Sequence, residues 1–245
     1  MNRLIISIAV CLLTTISAFA QNLSEAEVTS TMYRAFELHK AKRYAEALDA
    51  FLIVGVNVDP SKSEVERQVY VCSQTMACAC HYSIEQYPEG YQLAKKLIAG
   101  KLADSEKKDI YHYYVLNGYM IACDFIQRDE NGNAEYQRGR ELLLEIAPYA
   151  DEELKGYVLP KIPLTWYFEG ASNFEKQMFE EALVCFNNAF NGFQELGLTS
   201  NAVSALKQVA AVNYQTYHIE EAIRKYEQAL LMSQTLNDSI AQMDI

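Results

Sequence analysis

The sequence predicts an all-α protein that is built as an array of helix-turn-helix repeats. A short pattern recurs along the chain: a large apolar residue, two mostly polar residues, a small residue, and a further apolar residue four positions later. Elsewhere the apolar residues recur with the period of an amphipathic helix, and hairpin turns between strand-like runs are absent. The clear copies of the pattern are residues 44–51, 136–143, 179–186 and 219–226, and a weaker copy is residues 87–94.

The small residues of this pattern lie about 40 to 50 residues apart, a period typical of helical arrays. In such an array each unit buries its apolar face only against its neighbours. The small residues let two helices approach closely, so we interpret them as packing positions without a chemical role. They are Ala47, Gly90, Gly139, Ala182 and Ala222.

Helix breakers divide the chain into five hairpins, which together comprise about ten helices. One pair of breakers ends the first unit, one opens the second helix of the next, three prolines bracket the junction between the third and fourth units, and the last group marks the turn before the fifth. In chain order these breakers are Asp59-Pro60, Tyr87-Pro88, Pro148, Pro160, Pro163, Gly197 and Ser200-Asn201.

The fourth and fifth units carry a family resemblance. Residues 164–197 resemble a tetratricopeptide repeat, because a large and a small residue of the first helix and three residues of the second helix fall at the family's spacing. The final unit is similar, and the first unit matches in part. The second and third units depart from the pattern: Gly replaces Ala in both, and the third has an insertion around residues 129–133. The matching residues are Trp166, Gly170, Ala182, Phe186 and Ala189, then Leu206, Ala210, Ala222, Tyr226 and Ala229, then Ala35, Ala47 and Phe51.

The resemblance implies a right-handed superhelical array of about five repeats over residues 21–245. It also implies an interaction module with a protein or peptide partner, and no enzymatic activity. Exported arrays of this kind resemble the sensor regions of bacterial sensor histidine kinases and related regulators, so we expect a sensory or input role in signal transduction. The alternative is a free-standing periplasmic scaffold or assembly factor for envelope proteins.

The N-terminal residues have the pattern of a cleaved signal peptide. Arg3 supplies the positive start, residues 4–14 are almost wholly apolar, and Ala18-Phe19-Ala20 forms a small-x-small cleavage site. We therefore expect residues 1–20 to be removed and the mature protein to be exported to the periplasm. Association with a membrane is expected only if the chain continues beyond Ile245.

The charge balance disfavours nucleic acid as a partner. The chain has 21 basic and 32 acidic residues and a formal net charge of −11. A protein that binds nucleic acid or an anionic membrane needs clustered Lys and Arg on its surface. The mature part has an odd number of cysteines, all within apolar helical stretches. We expect buried free thiols, and the alternative is one disulfide bond between neighbouring helices. These cysteines are Cys72, Cys78, Cys80, Cys123 and Cys185.

No motif in the sequence predicts catalysis, a metal or a cofactor. Cys78 and Cys80, next to His81, are two residues apart on a helix, so their side chains point in nearly opposite directions and do not suit a single metal ion. The histidines at 39, 112 and 218 lie in different units, away from any recognisable nucleophile.

Aromatic residues on the first helix of each pair are the candidate binding surface. Tyrosine is frequent, with 17 copies, and aromatic rings give a large contact area at low entropic cost. The alternative is that these rings pack the array against itself. Lys207 is the single candidate cation on this surface, so we do not expect capture of the C-terminal carboxylate of a peptide. The candidate residues are Phe36, Tyr82, Tyr119, Tyr167, Phe174, Lys207 and Tyr214.

The cleavage-site pattern makes a direct prediction about the mature N-terminus. Ala18 and Ala20 are the well-placed small pair after the apolar run, so the secreted protein should begin at Gln21. N-terminal sequencing of the exported form checks this, and a mature protein that retains Met1 would contradict it.

Overall fold

The computed structural model describes residues 23–127 and 134–243, with 236–243 as backbone only. Within these ranges all regular elements are helical, which confirms the predicted all-α fold, and the ten α-helices match the predicted number. The helices are α1 (Glu25–Lys40), α2 (Tyr44–Asn57), α3 (Glu64–Ser83), α4 (Tyr87–Ala99), α5 (Asp104–Ile126), α6 (Tyr136–Ile146), α7 (Glu152–Glu175), α8 (Phe179–Glu195), α9 (Thr199–Gln215) and α10 (Ile219–Met243). A 3₁₀ turn, Ala147–Tyr149, lies between α6 and α7. None of the described helices is both long and apolar enough to cross a lipid bilayer.

Each copy of the sequence pattern begins the second helix of a pair at the pattern's first residue. The helices that begin in this way are α2, α4, α6, α8 and α10. The small residue of every copy is buried. Consecutive helices pack against each other, as expected for hairpins. The residues of the repeated pattern therefore form the contact between the second helix of each pair and its neighbours.

Glycine replaces alanine in the second and third units because the neighbouring helix α5 leaves no room for a methyl group. A Cβ at Gly90 would lie 2.7 Å from Oδ1 of Asn117, and a Cβ at Gly139 would lie 2.8 Å from Cγ1 of Ile126. The departure from the family pattern in these two units is therefore a closer helix contact and not the loss of one.

The chain forms two compact units, Met1–Asn117 and Gly118–Ile245. In the compact unit that ends at Asn117, Phe51 is fully buried among Ala35, Ala77 and Cys80. In the compact unit that begins at Gly118, two adjoining groups of buried residues surround Phe186 and Phe193 and join α7, α8 and α9. Each unit thus has its own apolar core of small residues around a large aromatic ring.

Five turns have the same backbone geometry. The residue two positions before α2, α4, α8, α9 and α10 has a positive φ between 60° and 69°. In the α7–α8 turn the N–H of Met178 donates to the carbonyl of Asn173 at 2.9 Å, and the N–H of Gln177 donates to the carbonyl of Phe174 at 3.0 Å. This pair of hydrogen bonds is a Schellman motif, which ends one helix and sets the direction in which the chain enters the next. The positive-φ residues are Lys42, Glu85, Gln177, Gly197 and Tyr217.

Two of the predicted breakers do not break a helix. Pro160 and Pro163 lie inside α7 and not at a junction, so this part of the prediction is wrong. A proline inside a helix costs roughly 3 kcal/mol, and packing of α7 on both α6 and α8 offsets that cost. Pro163 is buried, and Gly192 of α8 lies close enough that a Cβ there would be 2.9 Å from Cβ of Pro163.

The other breakers fall close to the predicted positions. Pro148 lies in the 3₁₀ turn and Gly197 in the α8–α9 turn, whereas Ser200-Asn201 lie in the first turn of α9. The insertion around residues 129–133 and the signal segment 1–20 lie outside the described residues.

Tyr226 also differs from expectation. It occupies the pattern position of Phe51 and Phe186, which are fully buried, yet 45% of its surface is exposed. Helix α10 packs chiefly against α9, and none of the described helices covers its opposite side.

The shared turn geometry predicts that glycine stabilises the α7–α8 turn. Gln177 is exposed and has a φ of 61°, a conformation that costs an L-residue about 1–2 kcal/mol. After the loss of chain entropy at glycine, Gln177→Gly should stabilise the fold by about 0.5–1 kcal/mol. Gly197→Ala is the matched control, since a Cβ there meets open space and only the backbone is strained. Thermal unfolding should show opposite shifts; shifts of the same sign would contradict the shared geometry.

Candidate functional site

Five predicted site residues occupy two equivalent positions of their helices. Counted back from the positive-φ residue of each turn, Tyr82, Phe174 and Tyr214 come three residues before it, and Tyr167 and Lys207 come ten residues before it. Positions that lie seven residues apart share one helix face. We call this the first-helix face. Phe36, six residues before Lys42, lies on the same face of α1.

On α7 this face takes part in core packing. Tyr167 and Phe174 are half-buried against the cluster that contains Ala182 and Phe186. The ring of Tyr167 lies edge-on to the ring of Phe186, with the two centroids 5.6 Å apart. These two residues therefore stabilise the fourth hairpin, whatever else they contact.

The last aromatic position of the first-helix face also braces the turn that follows it. Three of the hairpins, α1–α2, α3–α4 and α7–α8, pair this ring with the first residue of the next helix. The ring centroids are 5.2 Å apart for His39 and Tyr44, 5.7 Å for Tyr82 and Tyr87, and 5.6 Å for Phe174 and Phe179. This structural use accounts for the aromatic character of the position at Tyr82 and Phe174.

The predicted residues on α9 are the ones open to solvent. Tyr214 is 59% exposed and Lys207 is also exposed. Seven residues separate them, which corresponds to about 10 Å along a helix. Tyr217, in the turn after α9, is 88% exposed. We call Lys207, Tyr214 and Tyr217 the α9 surface.

Sequence periodicity did not predict Tyr217. The residue lies in a turn, where neither the helical nor the strand period applies, and its φ of 62° fixes the direction of its side chain. The signal that could have found it is alignment of the five turns, in which Tyr217 occupies the position of Gln177 and Lys42.

In the first unit Phe36 is partly open. Its ring is 40% exposed and lies edge-on to Phe51, with the centroids 5.3 Å apart. Tyr33, one turn earlier on α1, is more exposed and was not predicted. Phe36 thus combines a core contact with an accessible edge.

Tyr119 lies on α5 and is partly buried against α7. Burial raises the pKa of Tyr119 to about 12, and the neighbouring thiol of Cys123 adds to the shift. The Nζ of Lys161 lies 5.8 Å from the centre of the Tyr119 ring. The ring is therefore occupied by contacts between α5 and α7.

The sequence analysis did not predict a polar cluster that lies between α6 and α7. The guanidinium of Arg140, on the buried side of α6, donates to Glu169 at 2.9 Å and to the hydroxyl of Thr165 at 3.2 Å. It also lies over the ring of Trp166, 3.2 Å from the centroid. The cluster joins α6 to α7 with all three contacts on one side chain, an arrangement that suits a structural role.

The five cysteines in the described part of the chain are free thiols, but not all of them are buried. Cys72 is exposed and Cys123 is only partly buried, so the prediction of five buried thiols is wrong at these positions. Burial raises the pKa of both Cys78 and Cys80 to about 12, which keeps them protonated and unreactive at neutral pH. Cys78 also occupies the small-residue position that Ala35 and Gly170 hold in other units.

Among the side chains that the structure describes, in residues 23–127 and 134–235, no group of three or more His, Cys, Asp or Glu is arranged to hold a metal ion.

Two solved structures resemble this chain weakly in fold. No family model matches the chain, and no curated protein matches it. The crystal structure of the apo form of RapI aligns with 86% of this chain and 72% of its own, at 15% identity and a TM-score of 0.35. A structure of MamA MSR-1 C2 aligns with 85% of this chain and 97% of its own, at 17% identity and a TM-score of 0.30. At these TM-scores neither likeness bears on function.

The class of protein follows from the hairpins themselves. Small residues at each helix contact and one turn geometry used five times define a helical-repeat fold similar to tetratricopeptide repeats. Folds of this class generally present extended surfaces to partner molecules.

Proposed function

We propose that this chain is an extracytoplasmic module that binds a protein or peptide through the α9 surface. The observation that carries the proposal is the exposure of Tyr214 and Tyr217 beside Lys207. Phe174, the equivalent of Tyr214 on α7, packs in the core, whereas Tyr214 itself is 59% exposed.

The α9 surface has the chemistry of a recognition site. Tyrosine buries a large apolar area and loses little rotational entropy when it is fixed. The Schellman turn restrains the backbone at Tyr217, and the N–H of His218 donates to the carbonyl of Asn213 at 2.8 Å. A rigid frame lowers the entropic cost of binding. Lys207 then favours an acidic group on the partner.

The cellular role is a further part of the proposal. Export is supported by the pattern in residues 1–20, and a sensory or input role in bacterial signal transduction is supported by the resemblance to exported sensor regions. The second candidate, a free-standing periplasmic scaffold or assembly factor, is favoured by the same surface. The two differ in whether the reading frame continues past Ile245 into an apolar span.

The proposal predicts that α9 side chains are hot spots for binding. With the partner isolated from periplasmic extract by the mature protein, Tyr214→Ala should weaken binding by about 2 kcal/mol, or roughly thirtyfold, without lowering Tm. Calorimetric titration and thermal unfolding of each variant provide the two readouts. Tyr33→Ala is the matched control, since it removes a comparably exposed tyrosine from α1.

A structural role would give a different result. If truncation of Tyr214 lowers stability in proportion to binding, or leaves binding intact, then the α9 surface is not the recognition site. Phe174→Ala should lower both quantities, because its ring packs against Phe179 and the core.

A further inference from the structure

Helix α10 has an apolar stripe that no described helix covers. Its four residues are spaced four, three and four positions apart, so they lie on one face of the helix. Between 42% and 58% of each residue is exposed. We call this set the α10 stripe: Ile219, Ile223, Tyr226 and Leu230.

The same stripe exists on α8, where it is covered. Forty residues earlier, the equivalent positions are Phe179, Leu183, Phe186 and Phe190. Phe186 is 1% exposed, because the ring of Tyr167 on α7 packs on one side of it and Val209 and Val212 of α9 belong to the same buried cluster. Phe190 packs against Val203 and Leu206 of the same helix. The α10 stripe therefore repeats, position by position, a surface whose natural covering is a helix with small aliphatic side chains.

The first helix of the array cannot supply that covering from a second copy. In α1, the positions equivalent to Leu206, Val209 and Val212 are occupied by Thr31, Arg34 and Glu37. Arg34 and Glu37 are exposed, and docking of α1 onto the α10 stripe of another copy would bury both charges. Head-to-tail stacking of identical chains is therefore disfavoured.

Charge along one edge of the stripe further defines the partner. Glu220 and Glu227 are both exposed and lie seven residues apart on α10, beside the stripe and away from the side that Ala222 and Ala229 bury. A basic residue on the facing edge of a docked helix would complement these carboxylates.

We propose that the α10 stripe binds an amphipathic helix of another protein that presents an Ala, Val and Leu face with basic residues along one edge. This surface is separate from the α9 surface and does not depend on the proposed function. Binding would extend the array by one helix, with the contact geometry that α9 already makes on α8.

A synthetic peptide with the sequence of this chain's own α9, residues 199–215, is a suitable probe. It carries the aliphatic face that fits the α8 stripe, and its binding to the whole mature chain can be followed by fluorescence polarisation. Ile223→Lys should weaken binding at least about tenfold, because it places a charge in the centre of the apolar contact. Gln228→Lys introduces the same charge at an exposed position of α10 outside the stripe and should change binding less than about twofold.

Each outcome decides the proposal. Loss of peptide binding in Ile223→Lys and in the second variant Leu230→Lys, with unchanged circular dichroism melting, supports it. Equal binding to the wild-type chain and to both stripe variants, or absence of binding to the wild type, overturns it. Sedimentation analysis gives the remaining result: a wild-type dimer that Ile223→Lys converts to a monomer would mean that a second copy, and not a foreign helix, covers the stripe.

Discussion

The close approach of neighbouring helices is the constraint on which the rest of the structure depends. It requires a residue without a large side chain at fixed points: Ala47 and Ala182 in well-matched units, and Gly90 and Gly139 where α5 lies closer still. Once the backbones are this near, one large residue per hairpin, such as Phe186, fills the remaining space. The Schellman turns follow from the same need, since a short connection must reverse the chain without separating the helices.

Much of the fold could be predicted from the sequence because the packing constraint leaves a periodic record. The five pattern copies marked the first residue of five helices, and the small residues are buried as expected. The errors arose where tertiary contacts override local preference. Pro160 and Pro163 are tolerated inside α7 because both faces of that helix are packed. Arg140 was missed because its partners, Thr165 and Glu169, are 25 and 29 residues away in the sequence.

The candidate site was harder to predict, for a physical reason. Aromatic residues on the first-helix face serve two purposes that sequence does not distinguish. Phe174 packs against the next helix, whereas Tyr214, at the equivalent position, is open to solvent. The difference lies in the partner residue: Phe179 offers a ring to pair with, and Ile219 does not. Exposure, and not residue type, separates candidate recognition residues from packing residues.

The central claim, that a small residue sets each helix contact, is tested most directly by the melting temperature of Ala182→Leu. Ala182 is fully buried in the core formed by α7, α8 and α9, so the three heavy atoms that leucine adds cannot be accommodated without moving α8. Overpacking of this kind should cost about 1–3 kcal/mol. Val184→Leu, at an exposed position of the same helix, should leave the melting temperature unchanged. A wild-type melting temperature for Ala182→Leu would contradict the account.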